Sequence, residues 1–193
     1  MKRTLIMLLA VVAMMSVAAS AGTISGKVSG VNGESVVYVE AVAGKTFPAP
    51  TAKPVVDQKG LMFVPHITAV EIGTTVEFLN SDKVAHNVFW TSVGGNKKLT
   101  HNLGTWPQGE KRPFKFDNAG AVPLLCNVHP EMAGYIFVSP TPYFAVTDKS
   151  GAYKIDNVPD GSYTVTAWHE GAKNNSKPVT VAGDTKADFT VSK

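Results

Sequence analysis

No window of ten residues in this chain sustains an apolar period of 3.6; short apolar alternations recur instead, broken by glycine, proline, asparagine and aspartate. The clearest cover residues 36–42, 75–79, 113–116, 135–138, 163–167 and 187–191. A period of two puts alternate side chains on opposite faces of a strand, so each run offers one face to a core. With 17 glycines and 12 prolines along the chain, almost every run ends at a residue that turns the backbone or breaks regular pairing. The pattern excludes helical architectures, and the expected class is all-β, built as sandwiches.

The amino terminus addresses the compartment. Lys2 and Arg3 precede an apolar run over residues 5–19, and Ala19-Ser20-Ala21 is a small-residue cleavage signal. Residues 1–21 are therefore expected to be a removed secretory signal, giving a periplasmic or secreted protein. No later segment approaches eighteen apolar residues, so no stable membrane insertion is expected. Loss of Lys2 and Arg3 brings the formal charge of +3 close to neutral, which gives no support for nucleic-acid binding. Cys126 is the single cysteine. It has no internal disulfide partner, and in an oxidising compartment a free thiol calls for something to occupy or shield it.

Along the chain, residues 22–43 hold a glycine-bearing strand pattern, a turn near Asn32-Gly33 and the apolar run that follows. Residues 44–60 are proline-rich and polar, expected as a linker or an edge strand. Residues 61–139 carry most of the unusual chemistry. From Pro140-Thr141-Pro142 onward simple hairpins resume, with turns at Asp148-Lys149-Ser150-Gly151, around Pro159-Asp160-Gly161, and at Ala182-Gly183-Asp184.

Cys126, His129 and Met132 place a thiolate, an imidazole and a thioether within seven residues. Such soft donors favour copper, and two histidines, one cysteine and a weak axial methionine form the ligand set of blue-copper sites. His86 is the second imidazole: it follows a strand-like run and the turn Asn80-Ser81-Asp82. Zinc is the competing metal, since one cysteine and two histidines can also hold it. His66, His101 and His169 are expected to be ordinary, with His101 in a solvated polar loop. No C-x-x-C-H motif for c-type haem occurs.

With those residues in view, the segment from 61 to 139 resembles the plastocyanin-like cupredoxins. Phe63-Val64-Pro65, Val70, Gly73, Val76-Glu77-Phe78, Asn80, His86-Asn87-Val88 and Cys126-x-x-His129-Pro130-x-Met132 fall in that family's order. The short gap between His129 and Met132 is similar to amicyanin. The resemblance implies a Greek-key sandwich holding one type 1 copper per chain through His86, Cys126 and His129, with Met132 axial. It also implies that Asn87 ties the two ligand loops and that Pro130 supports the second. Asn127 departs from the tyrosine that plastocyanins carry beside the ligand cysteine, so the second electron route of those proteins is not expected. The flanks resemble the carboxypeptidase regulatory-like sandwich through Gly22-x-Ile24-x-Gly26-x-Val28 and the run from Val146 through Gly151, Tyr153, Gly161 and Tyr163. Residues 44–140 are then expected to be a copper domain inserted into a discontinuous sandwich made of 22–43 and 141–193.

The resemblance implies a carrier of single electrons between exported redox proteins, and no enzyme. Two alternatives stand beside it: copper binding or delivery, and an adhesive or structural role with a secondary metal site. Lys97-Lys98, Lys111-Arg112 and Lys115 make the copper segment locally basic, able to steer an acidic partner or simply to solvate its loops.

Overall fold

A computed structural model describes residues 20–193; the expected signal lies outside them up to residue 19. Two strands come first, β1 (Ala21–Ser29) and β2 (Val36–Val39). Then follow β3 (Val55–Gln58), β4 (Phe63–Val64), β5 (Ile67–Glu71), β6 (Thr75–Asn80), β7 (His86–Trp90), β8 (His101–Trp106), β9 (Lys111–Lys115), β10 (Gly120–Leu125) and β11 (Ala133–Ser139). The chain closes with β12 (Phe144–Val146), β13 (Ala152–Pro159), β14 (Gly161–Trp168), β15 (Asn175–Val181), β16 (Thr185–Lys186) and β17 (Phe189–Thr190). Among the described residues the only helical element is a short 3-10 turn at Lys97–Leu99, and no helix is long and apolar enough to cross a membrane. The all-β class read from the alternation is the observed one.

The strands form four sheets. In one pair, β5-β11-β10-β7-β8 and β4-β3-β6-β9 enclose a large core that includes Val56, Phe63, Phe78, Trp90, Trp106, Phe116, Leu124, Cys126, Met132 and Ile136. In the other, β12-β2-β14-β15 and β13-β1-β16, with β17 also on β1, enclose a smaller core around Ile24, Val37, Tyr153, Val165, Val179 and Phe189. Strand β1 lies antiparallel to β13 and parallel to β16 and β17, although more than a hundred residues separate it from each. Its glycines permit this: a Cβ on Gly26 would meet the Ala187 carbonyl oxygen at 2.2 Å, so only glycine lets the returning chain lie that close.

The two cores meet along a third cluster, a seam of Val36, Ile67, Phe137 and Trp168 edged by Tyr38, Ala69, Ala121, Tyr135 and Val146. The run Val36-Val37-Tyr38-Val39 explains itself there. Val37 and Val39 point into the smaller core while Val36 and Tyr38 face the seam, so both faces of the strand need apolar residues.

Two expectations change. The proline-rich stretch is neither wholly linker nor edge: its prolines all precede Val55, and β3 sits between β4 and β6, with Gln58 fully buried and donating to the Leu79 carbonyl. His101 is not in a polar loop. It starts β8 and stays exposed as expected, with its ring 4.7 Å from Phe114 and 5.3 Å from Trp90.

Candidate metal centre

Strand pairing assembles the site. Leu125 pairs with Phe89 near the end of β7 in antiparallel register, so the chain leaving β10 runs back along β7 and brings Cys126 next to Asn87 and His86. The Asn87 amide donates to Cys126 Sγ at 3.4 Å. The connection from β10 to β11 then turns back, with the Met132 amide on the His129 carbonyl at 3.0 Å. This turn carries the His129 ring onto His86, with centroids 4.7 Å apart and the two Nδ1 atoms 3.0 Å apart. The donor atoms of His86, Cys126 and His129 all lie within 4.8 Å of one another. His86 is 0% exposed, Cys126 3% and Met132 1%, while His129 is half-buried and Pro130 lies exposed beside it. Met132 packs in the same core cluster as Cys126.

His86 is oriented by a side chain that the sequence reading did not single out. Its Nε2 donates to Asp82 Oδ2 at 2.9 Å, which puts the proton on Nε2 and leaves the Nδ1 lone pair facing His129. Asp82 also accepts from the amides of Gly60 and Leu61 at 2.7 and 3.0 Å. Burial works against its charge, but those amides and the His86 ring outweigh it, and the carboxyl is held below its ordinary range. Leu61 adopts φ 58°, a left-handed conformation that costs a non-glycine residue energy, and Asp82 holds the turn in it. Asn80, fully buried, completes the knot by donating to the carbonyls of Val84 and Trp106 and accepting from the Asp82 amide. An aspartate four residues before a candidate ligand, in a turn, was the available signal.

Asn87 spans the site. Its Nδ2 donates to Asn102 Oδ1 and to the Gly104 carbonyl, both at 2.8 Å, and its Oδ1 accepts from the Asn127 amide at 3.3 Å. The strand bearing His86 and the loop bearing His129 are thereby joined through one side chain. Of the basic residues, Lys111, Arg112 and Lys115 pair with Glu77, Glu110 and Asp117 at 2.6 to 2.9 Å, which cancels most of the local field. His66 and His169 stand apart from the cluster. His66 meets Glu170 at 2.9 Å, and His169 Nε2 donates to the Asn32 carbonyl at 2.9 Å.

Two imidazole Nδ1 atoms 3.0 Å apart are held together by a proton shared between them or by a cation in its place. A buried thiol beside them makes a soft three-donor set with copper's preferences. A β-sandwich carrying such a cluster at the end of its strands has the donor set of a mononuclear copper site. Residues 50–139 match the family model of copper binding proteins, plastocyanin/azurin family, and residues 136–192 match the carboxypeptidase regulatory-like domain; the chain joins a segment similar to the first to a segment similar to the second.

Solved structures with similarity include a Cu(I) form of an amicyanin methionine variant, at 22% identity and TM-score 0.42, covering 45% of this chain and 82% of that one. A purple cupredoxin from Nitrosopumilus maritimus shows 23% identity and TM-score 0.40, covering 45% of this chain and 100% of the other. A copper-containing nitrite reductase from Thermus scotoductus shows 27% identity and TM-score 0.42 over 52% of this chain and 25% of that one. No curated protein matches the chain.

Proposed function

We propose that the protein is an exported one-electron carrier, not an enzyme, in which His86, Cys126 and His129 hold one type 1 copper and Met132 lies axial. The observation that carries this is the restraint on the donors: Asp82 fixes His86, Asn87 links both ligand segments, and His86 and Cys126 are closed to solvent. Copper bound there supplies a one-electron couple between Cu(I) and Cu(II). Donors held this firmly change position little when the charge of the site changes, and that favours fast electron exchange over bond chemistry.

His129 is the exit. It is the half-buried member of the set, and Val128 beside it is 47% exposed. Val84, Leu61 and Met62 are exposed on the loop before His86 and on the turn held by Asp82. An apolar rim of this kind suits brief docking of an exported redox partner. For the chain as a whole, we read residues 44–140 as an inserted domain and 22–43 plus 141–193 as its host.

The test is the absorption spectrum of the copper-loaded, oxidised protein, followed by electron self-exchange. An intense visible thiolate-to-copper band that vanishes in Cys126→Ser is expected. Met132→Leu should keep the colour and raise the potential, because loss of a weak axial donor favours Cu(I). A colourless Cu(II) protein, or a site that takes only zinc, overturns the blue-copper site. A blue protein with slow self-exchange overturns the carrier role.

A further inference from the structure

We propose that the smaller sandwich positions the metal loop, acting through Trp168 and Glu170 on strand β11 and on the segment before β5. The inference rests on the copper site proposed above and assigns a role there to residues of the other core. Strand β11 begins directly after Met132 and divides its side chains between two environments. Ile136 and Val138 point into the large core. Tyr135 and Phe137 point outward and close on Trp168, with ring centroids 5.3 and 5.1 Å away. Trp168 itself is only 8% exposed, so its ring is committed to this contact.

A second grip falls on the neighbouring backbone. The Tyr135 amide donates to the His66 carbonyl at 2.8 Å, and the His66 ring meets the Glu170 carboxylate at 2.9 Å, two residues beyond Trp168. Gly134 leaves β11 no slack between these grips, since a Cβ there would come within 2.9 Å of Phe63 Cβ and 3.0 Å of the His66 carbonyl oxygen. The carboxyl end of the loop bearing His129 and Met132 is thus anchored on a strand clamped from both sides. The loop is tied at its amino end through Cys126 and Asn127 to Asn87 and at its carboxyl end by this strand, so a shift of the strand is passed to His129 and Met132.

The experiment uses the full chain loaded with copper and compares Trp168→Ala, Trp168→Phe and Glu170→Gln with the unaltered protein. Each is read by the intensity ratio of the thiolate-to-copper bands, by the copper hyperfine splitting in electron paramagnetic resonance, and by the rate of copper loss to a chelator. A Val179→Ala variant, which thins the smaller core away from the seam, controls for stability alone. Trp168→Ala is expected to change the band ratio and the splitting and to speed copper loss about tenfold, the equivalent of ~1.4 kcal/mol. Glu170→Gln should move both spectra the same way by less, and Val179→Ala should leave them unchanged. If Trp168→Ala does not fold, Trp168→Phe and Glu170→Gln decide the matter. Folded seam variants whose spectra superimpose on the unaltered protein overturn the inference while leaving the copper site standing. A spectral change in Val179→Ala as large as at the seam also overturns it. An unaltered protein without the visible band overturns the site and this inference together.

Discussion

Asn87→Ala removes one side chain and three hydrogen bonds at once. Two are short, to Asn102 Oδ1 and the Gly104 carbonyl at 2.8 Å, and the third, from the Asn127 amide, is long at 3.3 Å. A net contribution of ~1 kcal/mol for each short bond and a fraction of that for the long one gives a loss of about 2 to 3 kcal/mol. Water can replace part of this, because Asn102, Gly104 and Asn127 are exposed, and the lower end of the range is the better expectation. For a chain of this length, each kcal/mol lowers Tm by roughly 2 to 4 °C, so a fall of about 4 to 8 °C should appear in calorimetry of the apo protein. The copper-loaded protein should lose more, since the two ligand segments are no longer tied and the donors spread. Asn127→Ala is the matched control: only its backbone amide takes part, so the change should stay within ~0.5 kcal/mol. A fall below about 2 °C for Asn87→Ala, or an equal fall for Asn127→Ala, would refute the view that this side chain binds the two ligand segments together.

Two further outcomes are expected. A fragment of residues 44–140 should fold and bind copper by itself, seen as a cooperative thermal transition that copper shifts upward, whereas residues 141–193 alone should stay unfolded or aggregate because β13 and β14 lose β1 and β2; a cooperative transition from 141–193 would sink the discontinuous arrangement. Burial raises the pKa of Glu71, whose Oε1 has no partner. The folded state therefore holds a proton that the unfolded state has released, and stability rises as pH falls through the window between the unfolded and folded values. Glu71→Gln should raise Tm at pH 7, and its advantage should shrink toward pH 4; an advantage independent of pH would assign the effect to something other than the carboxylate.

Strand alternation was legible because it is local: residues 75–79 and 135–138 needed only their own pattern to be placed. The proposed donors Cys126, His129 and Met132 stand out for a similar reason, lying within seven residues, and the structure brings Cys126 and His129 together with His86. What stayed hidden depends on contacts distant in the chain. Asp82 stands in a turn four residues before His86, but what fixes it there shows only when the amides of Gly60 and Leu61 come beside it. The central place of β3 needed parallel pairing with β6, from Val55 on Glu77 to Gln58 on Asn80, and nothing in a proline-rich stretch announces it. His66 read as an ordinary histidine and Glu170 was not singled out, because the contact that joins them spans 104 residues of chain.

The chain leaves the smaller sandwich after Val39 and returns at Thr141, and those two points are hydrogen-bonded: Thr141 Oγ1 donates to the Val39 carbonyl at 2.8 Å, and the Val39 amide donates to the Tyr143 carbonyl at 2.9 Å. During folding, everything between them is a loop of roughly 100 residues, and closing it in a disordered state costs ~4 kcal/mol of chain entropy. Once the copper core has formed, its two ends already stand side by side and most of that cost has been met. The expected order of events follows: if residues 44–140 fold as the insert proposed above, pairing of β2 with β12 and β14, and of β1 with β13, should come after it. On that order, a mutation or metal that slows or speeds the maturation of the larger core should set the pace for a sandwich that contributes none of the proposed ligands.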